Sequence, residues 1–126
     1  MAAGRYSFTI EQGSTLNLEI QYKDGDSNPV NLSGYGGRMQ LRSAVDSSII
    51  IIALSSSLQA DGTGLNFSGS NGTTPPSSGS IGIYVSAASS SALNFTTAVY
   101  DLEIYSGSVV NRILEGQVQL SKEVTR

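Results

Sequence analysis

The amino-acid sequence predicts an all-β fold, a single antiparallel β-sandwich of about seven to nine strands with one short helical turn near residues 87–93. Three observations predict it. Apolar residues recur with a period of two along most of the chain. Clusters of Gly, Asn, Asp, Ser and Pro interrupt that alternation roughly every 8–12 residues. Helical patterning is confined to one Ala/Ser stretch, too little for parallel βαβ units, and no repeat of fixed period is visible. With 126 residues, the chain suits one domain, residues 1–126, around one core.

The elements follow in order. Tyr6, Phe8 and Ile10 alternate with Arg5, Ser7 and Thr9, the pattern of a half-buried strand. After a break at Glu11–Ser14, Leu16, Leu18, Ile20 and Tyr22 alternate with Thr15, Asn17, Glu19 and Gln21. Residues 23–29 are turn chemistry, with Gly for positive φ and Asp or Asn for local backbone bonds. A strand from Gly37 to Ala44 places Met39 and Leu41 on one face and Arg38, Gln40 and Arg42 on the other. Ile49–Leu54 is a continuous apolar run, expected to be covered on both sides or to meet a partner on its outer face. Leu65 and Phe67 mark a brief strand, and residues 68–80, with Pro75 and Pro76, form the longest loop. Ile81, Ile83 and Val85 alternate again. Ala87, Ala88 and Ala92 favour a helical turn that four serines resist, with Leu93 and Phe95 tucked under a sheet. Tyr100, Leu102 and Ile104 alternate with Asp101, Glu103 and Tyr105, and Ser106–Ser108 is a hairpin connection. The last strand, Val110–Leu120, points Leu114, Val118 and Leu120 inward and Glu115, Gln117 and Gln119 outward.

Composition argues against most catalytic chemistry. There is no Cys, no His and no Trp, hence no disulfide, thiolate, imidazole shuttle or Ser-His-Asp triad. Seven basic residues stand against ten acidic ones, and Arg5, Lys23, Arg38, Arg42, Arg112, Lys122 and Arg126 are scattered in sequence. A duplex binder needs clustered cations to release counterions, so nucleic acid is not an expected partner. No apolar run approaches the ~20 residues of a membrane span, and the opening six residues alternate too early for a signal peptide. The expectation is a soluble, non-enzymatic chain with no cofactor, no metal and no small-molecule substrate.

Individual constellations are weak. Asp101 and Glu103 share a strand face, as paired carboxylates of a glycoside hydrolase would, yet a solvated strand face explains them better. Asp24-Gly25-Asp26-Ser27-Asn28 opens like a calcium loop, but Pro29 stands where Gly is needed and Tyr35 where a bidentate Glu is needed. The glycines around Tyr35 and Thr63 lack the spacing and Lys of a phosphate loop. Tripeptides beginning at Asn31, Asn66, Asn71 and Asn94 match the glycosylation acceptor in a chain rich enough in Asn, Ser and Thr to produce such matches by chance. Arg38 and Arg42 are expected to pair with Asp101 and Glu103, within the chain or across a subunit contact. Tyr84 and Tyr105 fall opposite their strands' aliphatic residues and are candidate contact residues.

Several stretches carry a resemblance. Arg5–Thr15 (RYSFTIEQGST), Pro29–Tyr35 (PVNLSGY), Arg38–Arg42 (RMQLR), Val99–Glu103 (VYDLE), Arg112–Gly116 (RILEG) and Val118 together resemble small structural proteins of tailed bacteriophages, including cyanophage types. They are also similar to the immunoglobulin-like N-terminal domain of upper-baseplate proteins. The resemblance implies an Ig-like sandwich located in the virion, made in the host cytoplasm, that docks on tail or baseplate subunits and supplies no catalytic residues. Its partners would be other virion proteins, further copies of itself included. The alternatives are a capsid decoration (cement) protein and, in another class, a carbohydrate- or host-surface-binding module with the 68–80 loop as its tip. The absence of Trp counts against sugar stacking. Unprotected strand edges offer backbone groups to a neighbour, so the interface candidates are Ile49, Ile50, Ile51, Ile52, Arg38, Arg42, Tyr84 and Tyr105.

Overall fold

The computed structural model describes residues 4–23, 26, 28–69, 73 and 75–124. Among the described residues nine strands form: β1 Gly4–Arg5, β2 Phe8–Glu11, β3 Leu16–Gln21, β4 Gly36–Arg42, β5 Ile50–Ser55, β6 Gly64–Asn66, β7 Ser80–Val85, β8 Thr97–Ser106 and β9 Val109–Ser121. A 3-10 turn covers Pro76–Ser78 and one helix, α1, covers Ala87–Ser91. The larger sheet runs β1-β9-β8-β4-β5, with β2 following β1 along the same side of β9, and the smaller runs β3-β7-β6. The expected all-β sandwich is present. Lettered from β3 as B to β9 as G, the sheets read GFCC′ and BED, the arrangement of a variable-type immunoglobulin domain.

Alternation builds the core. Buried residues on β8 are Ala98, Tyr100, Leu102 and Ile104, every second position, facing Met39 and Leu41 of β4. Ile81, Ile83 and Val85 of β7 and Leu65 of β6 close it from the other sheet. Ser86 caps α1, its hydroxyl accepting from the Ser89 N–H at 3.1 Å, and buried Leu93 follows the helix as expected. The β8–β9 hairpin turns through Gly107 and Ser108, with Gly107 at φ 59° as a tight primed turn demands.

Five expectations need correction. The N-terminal strand is two pieces, broken at Tyr6–Ser7, and both run parallel to β9, so the sandwich is not antiparallel throughout. At the break the Tyr100 hydroxyl donates to the Tyr6 carbonyl at 2.5 Å, and Gly116 leaves the space, since a Cβ there would meet that carbonyl. In β9 a bulge opposite Leu102/Glu103 inserts Ile113, which is buried, while Leu114 is half-buried. The strand expected to reach Ala44 ends at Arg42, and Phe67 packs on the core just outside β6. The isoleucine run is the edge strand β5, which among the described residues pairs only with β4. A bulge beside Arg42 lets both Ile51 and Ile52 pack on the core and leaves Ile49 and Ile50 exposed.

Candidate functional site

The outward face of the larger sheet gathers residues that are far apart in sequence. Period two on β4 presents Arg38, Gln40 and Arg42, and on β8 Asp101, Glu103 and Tyr105. The β9 bulge brings Arg112 opposite Glu103, and Arg5 of β1 sits opposite Glu115. With Val45, all of these except Tyr105 line a shallow concavity of about 710 Å³. Four of the seven basic residues scattered in sequence are therefore clustered in space: four arginines meet three carboxylates, a net of +1 on this face. The other ionisable residues, three basic and seven acidic, sum to −4, giving the chain's −3. Sequence reasoning missed this clustering because β1 and β9 meet only through their parallel pairing.

The charges are ordered in stripes. Arg38 Nε lies 2.8 Å from Glu103 Oε1, its register partner across β4 and β8, and its guanidinium stands 5.2 Å from the centroid of the Tyr105 ring. Arg112 Nε lies 3.5 Å from Asp101 Oδ2. The expected Arg38 pair is present, but among the described residues Arg42 forms no ion pair. Its Nη1 donates to the Ser47 carbonyl and its Nη2 to Gln40 Oε1 at 2.8 Å, because the loop after β4 folds back within reach and Arg112 has taken Asp101. Burial, then the neighbouring Glu103 and Glu115, push the Asp101 carboxyl above its ordinary pKa, against the opposing pull of Arg112 and Arg42. Chemically this is an ion-pair ladder across a sheet, with both Asp101 and Glu103 committed to arginines.

Beside it lies the edge of β5. Ile49 is 72% and Ile50 43% exposed, and no charged residue stands between Ile49 and Ser55. Among the described residues, no strand pairs the far side of β5. Tyr105 joins this face, half-buried against Gly36, where a Cβ would clash with its ring. Tyr84 does not join it. It sits on the outer face of the smaller sheet beside Gly62. Arg38, Arg42 and Tyr105 thus share one face with the exposed Ile49 and Ile50 at its edge, whereas the candidates Ile51 and Ile52 pack on the core instead.

A second polar cluster went unrecognised in the sequence. Asp61 Oδ2 accepts from the Ser86 hydroxyl at 2.6 Å and the Ser89 hydroxyl at 3.0 Å, while Oδ1 accepts from the Thr63 N–H at 3.0 Å. Those bonds hold its carboxyl far below the usual carboxylate range. The network ties the turn before β6 to α1, whose N-cap is Ser86, a residue type favoured at that position. Of the calcium-like stretch, Asp24, Gly25 and Ser27 lie outside the described residues, and among the described residues no three acidic groups are placed to hold a metal. No helix among the described residues is long and apolar enough to cross a membrane. Compared with known proteins, the chain matches no family profile and no curated protein.

Proposed function

We propose that this chain is a non-enzymatic structural protein of a tailed-phage virion that docks on tail or baseplate subunits through the outer face of its larger sheet and the adjoining β5 edge. The observation that carries the docking reading is the juxtaposition of an uncharged, unpaired strand edge with an ordered arginine–carboxylate face. Natural monomers protect edges with charge, brevity or cover, and among the described residues β5 has none of these over Ile50–Leu54. The mixed-sign face beside it gives register and selectivity toward one partner rather than raw affinity. The virion assignment rests on the resemblance of the strand sequences to phage structural proteins.

The test is mass spectrometry of purified particles from lysates of the host carrying the gene, with heads and tails separated. The protein is expected in the tail fraction. Presence only on heads would convert the reading to capsid decoration, and absence from both would reject it. Ile50→Asp and Arg38→Glu, both at exposed side chains, are expected to fold normally and to lower incorporation at least about tenfold, the scale of removing an interface hot spot.

A further inference from the structure

We infer that the β5 edge is a self-association site, pairing antiparallel with β5 of a second copy about a two-fold axis at Ala53. This deepens the docking reading above: a second copy fills the edge, and the arginine–carboxylate face beside it is left for the tail or baseplate subunits.

A comparison of the sheet edges selects β5. The edge formed by β1 and β2 carries Arg5 and Glu11, β3 carries Glu19, and β6 is only three residues long. Charge and brevity are the ordinary defences against strand addition. The six residues of β5 are Ile, Ile, Ile, Ala, Leu and Ser, without charge or proline. Two such edges carry nothing that repels.

Register follows from the pleat. Leu54 and Ile52 pair with the buried Met39 and Leu41 and therefore point inward, while Ala53 pairs with Gln40 and points outward. A two-fold perpendicular to a continuous sheet keeps inward faces inward, so a residue must meet one of its own parity. Placing Ala53 opposite its copy satisfies this and sets Ile52 against Leu54 of the second copy on both sides of the axis. The small exposed Ala53 allows close approach there. The bulge at Ile51 lies outside this central stretch, which keeps regular strand geometry.

Antiparallel pairing also explains apolar groups that the monomer leaves in water. Ile49 and Ile50 are exposed before β5, and Leu58, 46% exposed, follows it. Counting outward from Ala53, the pairing carries Ile49 and Ile50 of one copy to the end where Leu58 of the other stands. A parallel partner would not bring them together. A contact one strand wide is smaller than the ~1,200 Å² of stable complexes, so the dimer is concentration-dependent in solution and is reinforced where many copies are held in an assembly.

Sedimentation velocity on the purified full chain, from micromolar to millimolar concentration, tests this. The wild type is expected to show a reversible monomer–dimer equilibrium. Ala53→Lys and Ala53→Glu, each verified as folded by circular dichroism, should each weaken the dimer at least about tenfold, because like charges meet across the axis. Mixed one to one, the two variants should dimerise again, which a merely structural defect would not produce. A wild type that stays monomeric throughout overturns the inference. So does a dimer untouched by both variants, or variants that fail to restore each other. None of these results bears on whether the protein is found in particles, so this inference and the virion assignment fail separately.

Discussion

Asp61 shows how a single exposed carboxylate takes on a structural role. It gathers two serine hydroxyls and a backbone N–H at the start of α1. Its pKa is depressed in the folded chain, so its contribution to stability is complete above the unfolded value of ~3.9 and is lost as pH falls toward the folded one. Asp61→Asn is therefore expected to lower the melting temperature at pH 7, with the gap to wild type closing below about pH 4. A gap independent of pH would show that the charge is irrelevant. Asp101 runs the other way. Its raised pKa means that the ionised form costs stability, fully present above the folded pKa and absent below the unfolded one. Asp101→Asn should stabilise the isolated chain at pH 7 by less than about 1 kcal/mol, since the group is partly solvated and its partner Arg112 exposed. Chemical denaturation at pH 7 and pH 3 checks both sign and pH dependence. A carboxylate kept where it destabilises the monomer fits a face selected for contact.

Among the elements, α1 and the 68–80 loop were the least regular in sequence, and they differ in how they are held. Ser86 both caps α1 and donates to Asp61, so Ser86→Ala should cost about 1–2 kcal/mol in urea denaturation, the range of a lost N-cap. The loop is held where it meets β7. Its C-terminal end is bound: the Ser78 carbonyl accepts from the Gln21 side chain at 2.9 Å, and the Gly79 carbonyl from the Tyr22 N–H at 2.8 Å. A Cβ at Gly79, where φ is 73°, would meet the Tyr22 carbonyl. Removing residues 70–72 should change stability by less than about 1 kcal/mol, because loop-closure entropy varies slowly with length. A deletion reaching Gly79 should cost several times more, because it strips β3 of those partners. Equal melting temperatures for the two deletions would show that these bonds carry little.

For the whole molecule, legibility in the sequence followed the period of two. The inward sets Met39/Leu41, Ile81/Ile83/Val85 and Tyr100/Leu102/Ile104 were readable because alternation on one strand needs no knowledge of its neighbours. The bulges at Ile51 and Ile113 were not, since an inserted residue shifts the phase without changing composition. Strand direction was equally hidden, because a half-buried strand reads alike whether its partner runs parallel or antiparallel. The arginine cluster followed from that hidden pairing. Arg38 and Arg42 lie four residues apart and were read together, whereas Arg5 reaches the same face only by running beside β9.

That parallel strand also sets a limit on how much of the chain the fold can lose. Ile10 is 1% exposed, Phe8 packs edge-on to Tyr100 with ring centroids 5.2 Å apart, and the Tyr6 carbonyl accepts the Tyr100 hydroxyl. Removing residues 1–11 would take an aliphatic and an aromatic side chain out of the core and leave Tyr100 without its acceptor. Truncations of that kind cost about 2–5 kcal/mol for each large side chain, against a total stability of about 5–15 kcal/mol. They would also uncover β9 along Val118–Leu120 as a second unprotected edge. The truncated chain is expected to lose cooperative thermal unfolding by circular dichroism, or to aggregate, and a synthetic peptide spanning residues 4–11 should restore the transition by re-forming the parallel pairing. A truncated protein melting within about 4 °C of wild type, a shift worth roughly 1 kcal/mol or less, would mean that the smaller sheet and the four remaining strands of the larger one hold the core unaided.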